Sequence, residues 1–336
     1  MRGGFYFPWN FRIFNVLRNV KMTNLAQRVL TALIAIPIIV VICMVGGIYF
    51  FCFIALASAI ALSEFYSLAK AKGAEPLVLM GILSGFFINL SFYHAKFRTF
   101  VVELFDRWGI AIPFPSQAQL LLITLLLIVV VLGLIELFRN KGSALLNLST
   151  TMMGIFYVSL FFGTFIGIRE LFVPLDFPML RFFASESSFT DPAAIGQIYR
   201  WGGYTVISVL AMIWICDSAA YHVGMAMGRH KLFPRVSPNK SWEGAIAGFI
   251  FGVGAAVAAK YIVLDYLPTG SAIMIGMIVG VIGQLGDLFE SLLKRDAAVK
   301  DSSALIPGHG GVLDRFDSLL LVAPCVYLYL DFILFS

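Results

Sequence analysis

The sequence predicts an all-α polytopic membrane protein of about nine transmembrane helices, with its active site on the cytoplasmic side. Three observations predict the fold. Of the 336 residues 60% are hydrophobic and 13% charged, with a mean hydropathy of +0.91, whereas soluble domains run at about 45–50% apolar and about 25% charged. The apolar residues come in repeated runs of about 20, the length a helix needs to cross a hydrocarbon core, without the alternation of a β-barrel. The charged residues gather between those runs.

Taken in order, the runs place spans at 29–46, 48–68, 76–94, 118–138, 149–168, 203–228, 243–262, 270–289 and 317–336. Gly46 and Gly47 divide the first two, because two adjacent glycines interrupt a helix readily. Nine spans leave the termini on opposite sides. Seventeen of the 24 lysines and arginines then fall on the N-terminal side and seven on the other, so the positive-inside rule puts the N-terminus and the loops 229–242 and 290–316 in the cytoplasm. Those two loops are also the most polar stretches of the chain.

The chain divides into a basic segment over 1–28, an N-terminal transmembrane region over 29–202 and a C-terminal catalytic region over 203–336. The stretch FYFPWNFRIFNVLRNV in the basic segment lacks the apolar centre and small-residue cleavage site of a signal peptide. It reads as an interfacial helix or as an extension upstream of an alternative start at Met22. The connections 95–117 and 169–202 are long and non-cytoplasmic, and their residues suggest no chemistry. The four cysteines, Cys43, Cys52, Cys216 and Cys325, lie inside apolar runs without metal-ligand spacing and read as small buried hydrophobes.

Ionisable groups at membrane depth are costly, and are usually functional or paired. Asp217 in WICDSAAYHVG, Asp287 in GQLGDLFES, and Asp314 and Asp317 in LDRFD all stand toward the cytoplasmic ends of their spans. Asp314 and Asp317 are three residues apart and so share one helix face. Either could merely cap the last helix. Together with Asp287 they suit a hard cation, since Mg2+ takes one or two carboxylates and leaves its other positions for water and phosphate oxygens. Cations surround them: Lys294, Arg295 and Lys300 in KRDAAVKD, and Lys240 in SPNKSWEG, read as phosphate contacts. Arg229, Lys231 and Arg235 serve equally as positive-inside anchors. The small residues of GHGG let backbone N–H groups approach an anion closely. His309 reads as a phosphate or loop contact, and His94, His222 and His230 as structural. Glu64 and Glu136 either support the site or snorkel to water.

The run SLLKRDAAVKDSSALIPGHGGVLDRFD, Ser291 to Asp317, resembles the signature of the CDP-diacylglycerol synthases, or phosphatidate cytidylyltransferases. SPNKSWEG resembles the family's second stretch, with Asn239 and Ser241 where lysine and threonine are commoner, and CDSAAYHVG and GDLFES resemble it too. The resemblance spans about residues 22–336. It implies a multi-helix membrane enzyme, commonly a homodimer, that condenses CTP with phosphatidic acid in the bilayer to give CDP-diacylglycerol and pyrophosphate. It implies no nucleic-acid partner. It further implies Mg2+, with K+ as a second cation, held by Asp287, Asp314 and Asp317 with Asp217 nearby, and phosphates facing Lys240, Lys294, Arg295 and Lys300. Ser237, Asp301, His309, Gly310, Gly311 and Arg315 in the matched stretches are expected on the substrate side. The localisation expected is a bacterial inner membrane. Two rivals are a CTP-dependent kinase of a polyprenol-type alcohol and a membrane transporter.

Overall fold

A computed structural model of the chain describes residues 24–173, 177, 178, 182, 191–306 and 310–336. The expectations for the basic segment before residue 24, including the start at Met22, and for His309 lie outside the described residues.

The described chain is a bundle of helices: α1 (Asn24–Val45), α2 (Gly47–Ala71), α3 (Val78–Phe92), α4 (His94–Asp106), α5 (Gln117–Arg139), α6 (Ala144–Glu170), α7 (Pro192–Met227), α8 (Trp242–Ile262), α9 (Thr269–Asp296) and α10 (Leu313–Leu334). A two-stranded antiparallel hairpin, β1 (Lys231–Phe233) and β2 (Ser237–Ser241), joins α7 to α8. Seven helices, α2 and α5–α10, are long and apolar enough to cross a membrane, and an eighth span arises if α3 and α4 are taken together across their 90° bend. α1 adds a shorter apolar stretch, Thr31–Val45.

Local chemistry sets the helix ends. Ser116 and Gln119 form a reciprocal capping box at the start of α5, satisfying two backbone donors that the helix leaves free. Gly46 ends α1 at φ +63, where a Cβ would stand 2.6 Å from the Arg169 guanidinium. The buried Arg169 side chain donates to the carbonyls of Cys43 and Met44. That cation closes the last turn of α1, where the helix exposes its unpaired acceptors.

Two connections differ from expectation. α7 begins at Pro192, about three turns before the expected boundary at 203, because Asp191 caps it by accepting from Ala193 N and proline favours the first helical position. Within 95–117, residues up to Asp106 form α4, which sets Phe97, Phe100, Val101 and Leu104 at helical spacing among Lys96, Arg98 and Glu103. That is the composition of a helix at a polar–apolar boundary. Of the cysteines, Cys43 and Cys216 are buried and Cys325 half-buried, whereas Cys52 is exposed.

Loops from distant parts of the chain meet at one end of the bundle. Lys72 pairs with Asp296 at 3.3 Å, Arg139 donates to the Glu75 carbonyl at 2.6 Å, and Arg295 Nε donates to the Val236 carbonyl of the hairpin at 3.4 Å. These segments are the ones whose lysines and arginines form the larger group in the charge count.

Candidate active site

The site forms where the end of α9 meets the start of α10. The two helices run antiparallel and touch closely: a Cβ on Gly286 would stand 2.7 Å from the Asp317 carbonyl oxygen and 3.0 Å from Ser318 Cα. The missing side chain at 286 therefore brings Asp287 level with Asp317. Residues 287, 290/291 and 294 recur along one face of α9, so that face presents Asp287, Glu290, Ser291 and Lys294 in succession. Asp287 to Lys294 covers about 10 Å of helix at about 1.5 Å per residue.

At the outer level, Lys294 Nζ lies 2.7 Å from Asp314 Oδ1 and also pairs with Glu290, which is fully buried. Two carboxylates thus share one ammonium. Asp314 Oδ2 accepts from Gly311 N at 2.7 Å and from the backbone N and the hydroxyl of Ser302 at 2.9 Å each. Lys294 is the one donor on Oδ1, which keeps an acceptor position open, and the single Ser302 hydroxyl proton is shared with Glu64. Asp314 thus ties Lys294 of α9 to Ser302 and Gly311 of the signature segment. Gly310 and Gly311 make room for it. Gly310 sits at φ +81, where a Cβ would come within 2.6 Å of Asp314 Oδ2, and a Cβ on Gly311 would come within 2.1 Å of Ser302 Oγ. The anion that the Gly311 N–H approaches is a carboxylate of the chain itself.

At the inner level, Asp287 Oδ2 pairs with Lys240 Nζ of the hairpin at 2.7 Å, and Asp287 Oδ1 accepts from Ser291 Oγ at 3.3 Å. Asp217 and Asp317 each lie within electrostatic range of Asp287, and Asp217 also of Lys240 and Arg315. Three acids from α7, α9 and α10 thus face a region balanced chiefly by Lys240. Among the described residues, no three histidine, cysteine or acidic side chains stand close enough together to enclose a metal ion by themselves. The donors are hard oxygens, as Mg2+ prefers, and Mg2+ completes its shell from water and phosphate oxygens. The carboxylates of Asp217, Asp287, Asp314 and Asp317 all fit that ion on donor chemistry.

The remaining expected residues lie around this core. Lys300, Asp301 and Arg315 are exposed, and Arg295 leans on the hairpin through Val236. Ser237 starts β2 opposite Phe233, and Gly310 pairs its carbonyl with Ile306 N at 2.8 Å. His230 contacts Glu243 at 2.6 Å and His94 contacts the Pro115 carbonyl at 2.8 Å. Glu136 is bound at 2.7 Å to Asn147 and paired with Arg139 at 3.3 Å, beside the α5–α6 turn.

Glu290 and Ser302 escaped the sequence reading of the site, and Glu64, for which the sequence offers site support or snorkelling to water, is buried against the signature segment. Glu290 could have been found, because Glu290 and Lys294 stand in the i, i+4 order that favours a pair. Ser302 sits within the signature and has no signal of its own. Glu64 reaches in from α2: its Oε1 accepts from Ser303 Oγ at 2.6 Å and Val312 N at 3.1 Å, its Oε2 from Ser302 Oγ at 3.1 Å and Leu313 N at 2.7 Å.

Comparison with known proteins finds relatives along most of the chain. The model of the cytidylyltransferase family matches residues 26–333. The chain is 31% identical over 313 residues to a phosphatidate cytidylyltransferase of Synechocystis sp., covering 92% of this chain and 97% of that one. It is 30% identical over 310 residues to the protein of the same name from Bacillus subtilis, covering 92% and 98%. A phosphatidate cytidylyltransferase of Brucella suis is 43% identical over 132 residues, 38% of this chain and 47% of its own length.

Proposed function

The chain belongs to the cytidylyltransferase family, and from that premise we propose that it condenses CTP with phosphatidic acid to give CDP-diacylglycerol and pyrophosphate. One observation carries the reading: the segment Ser291–Asp317 gathers acids and cations from α7, the hairpin, α9 and α10 at one end of an apolar bundle. A polar nucleotide and a lipid headgroup can meet there. The names and coverage of the relatives support the same chemistry.

The phosphate monoester of phosphatidic acid has a second pKa of about 6 and is largely dianionic near neutral pH. One of its oxygens forms a bond to the α-phosphorus of CTP, while the bond from that phosphorus to the bridging oxygen of the β-phosphate breaks and pyrophosphate departs with the electron pair. No strong base is required. The obstacle is repulsion between two anions, so fixed cations and positioning supply the acceleration. Lys300 and Arg315, exposed around the loop, are free to meet the incoming phosphates, with Arg295 beside them. Lys240 neutralises Asp287 and stands ready to turn toward a phosphate. Lys294, enclosed by Glu290 and Asp314, holds the loop against α9.

Mg2+ belongs to the proposal, with Asp287, Asp314 and Asp317 as holders and Asp217 nearby, and K+ as a second cation; when bound, Mg2+ would neutralise phosphate charge. The proposal also includes nine spans with the N-terminus and catalytic loops cytoplasmic, in a bacterial inner membrane. The charge count and the meeting of cation-rich loops at one end support that orientation. A homodimer follows from the family resemblance; α5 and α8, each only 17% buried over their apolar windows, have faces available to lipid or a second copy.

The test is product analysis. Purified protein given CTP, Mg2+ and phosphatidic acid should form CDP-diacylglycerol, and formation should stop with chelator. Absence of this product under conditions where the protein is folded would overturn the reading.

A further inference from the structure

Glu64 lies on α2, 238 residues before the nearest partner it binds, yet is only 4% exposed and meets two backbone N–H groups and two serine hydroxyls of the signature segment. The pattern is symmetric. Each oxygen accepts one backbone N–H from the start of α10, Val312 for Oε1 and Leu313 for Oε2, and lies beside one serine hydroxyl, Ser303 for Oε1 and Ser302 for Oε2. The first N–H groups of a helix have no partner within it, and a carboxylate is favoured there by the helix dipole. Glu64 supplies that carboxylate from another helix. Val312 and Leu313 have no suitable side chain to do so.

The second half of the pattern leads toward the acids. The Ser302 hydroxyl stands 3.1 Å from Glu64 Oε2 and 2.9 Å from Asp314 Oδ2, between the two carboxylates, with its single proton shared by them. Asp314 in turn holds Lys294 and Gly311. A single side chain of the N-terminal region thereby fixes both the first turn of α10, which carries Asp314 and Asp317, and the serine segment beside Lys300. The contact surface is tight: a Cβ on Gly311 would stand 2.6 Å from Glu64 Oε2.

We infer that Glu64 is a positioning residue for the reaction proposed above, acting through Ser302 and the N-terminus of α10 to hold the loop and Asp317 in register with the phosphates. The inference rests on that functional reading. It requires a carboxylate, because an amide at 64 would turn its NH2 against either Val312 N–H or Leu313 N–H whichever way it is flipped.

The experiment is a double-mutant cycle on the full chain in detergent, with Glu64→Gln, Ser302→Ala and the pair, each checked by thermal unfolding. The readouts are kcat and the KM values for CTP and phosphatidic acid. Each single change should lower kcat by about tenfold to a hundredfold, the scale of a small misplacement of reacting groups. KM for CTP should change much less. The double variant should be no worse than the weaker single, because both act through one chain of contacts. Wild-type-like kcat in Glu64→Gln, or losses that multiply in the double variant, would overturn the inference and leave the proposed reaction standing. If Glu64→Gln does not fold, Ser302→Ala and Glu64→Asp carry the test: unchanged kcat in both overturns it, whereas loss in both with the fold retained supports it. A wild-type protein that makes no CDP-diacylglycerol fails the functional reading itself and takes this inference with it.

Discussion

Replacing Asp314 by asparagine keeps the shape of the side chain and removes its charge, and the structure fixes what that costs. In one orientation the new NH2 faces Lys294 Nζ, and one charged hydrogen bond becomes a contact between donors. In the other it faces Gly311 N and Ser302 N, and two such bonds are lost. The first is cheaper, so asparagine adopts it. A hydrogen bond to a charged group contributes about 1.5–3 kcal/mol. Both partners are shielded here, Asp314 at 3% and Lys294 at 11% side-chain exposure, so little of that is lost to solvent screening. Asp314→Asn should therefore destabilise the folded protein by about 1.5–3 kcal/mol without unfolding it. Chemical denaturation in a fixed detergent measures the change, and turnover of CTP with phosphatidic acid, expected to fall about a hundredfold as Lys294 and the loop shift, measures the consequence. Glu103→Gln, far from the site on α4, provides the reference for removing a carboxylate. If Asp314→Asn matched wild type in both denaturation and turnover, the network described around Asp314 would be refuted.

Other outcomes follow from the same contacts. Gly286→Ala places a methyl 2.7 Å from the Asp317 carbonyl; backbone must move, and turnover should fall with a stability loss of about 1–3 kcal/mol, whereas Gly254→Ala, with nothing within 4 Å of the new methyl, should be neutral by the same two assays. Lys240→Met leaves Asp287 without its 2.7 Å partner, and should raise the KM for CTP several-fold while retaining the fold; an unchanged KM would remove Lys240 from the phosphate path. Arg169→Met deprives the end of α1 of its donors and should lower the unfolding midpoint while leaving the KM for CTP unchanged, because this contact belongs to the opposite end of α6 from the loop.

Much of the fold could be read in the sequence because apolar run length is a direct record of helix length. Each expected span from 48–68 to 317–336 has a helix over it, although α3, over 76–94, reaches spanning length only together with α4 across their bend, and Gly46 ends α1 as two glycines suggested. Boundaries set by polar capping were harder: α7 starts at Pro192, inside a stretch read as a connection, because Asp191 and Pro192 are local signals that an apolar window overlooks. α4 carried its own periodicity, Phe97, Phe100, Val101 and Leu104, but too many charges to count as a span.

The site was legible where chemistry is written in short stretches. Asp287 pairs with Lys240 and lies within electrostatic range of Asp317, and the helix-face argument for α9 would also have included Glu290. Roles that depend on distant partners were not legible. Nothing near Glu64 in its own apolar run announces Ser302, Ser303, Val312 and Leu313, and nothing in GHGG tells whether its backbone faces a substrate phosphate or the carboxylate of Asp314. Those answers are tertiary, fixed by the packing of α2 against the signature segment.

The central claim is that acids and cations at the α9–α10 junction join a nucleotide to a lipid phosphate through the α-phosphorus. Supplying the purified protein with CTP labelled either at the α- or at the γ-phosphate, together with phosphatidic acid and Mg2+, tests it most directly. The account predicts α-label in the lipid product and γ-label in pyrophosphate. Lipid carrying γ-label, or CTP left intact by folded protein, would contradict it.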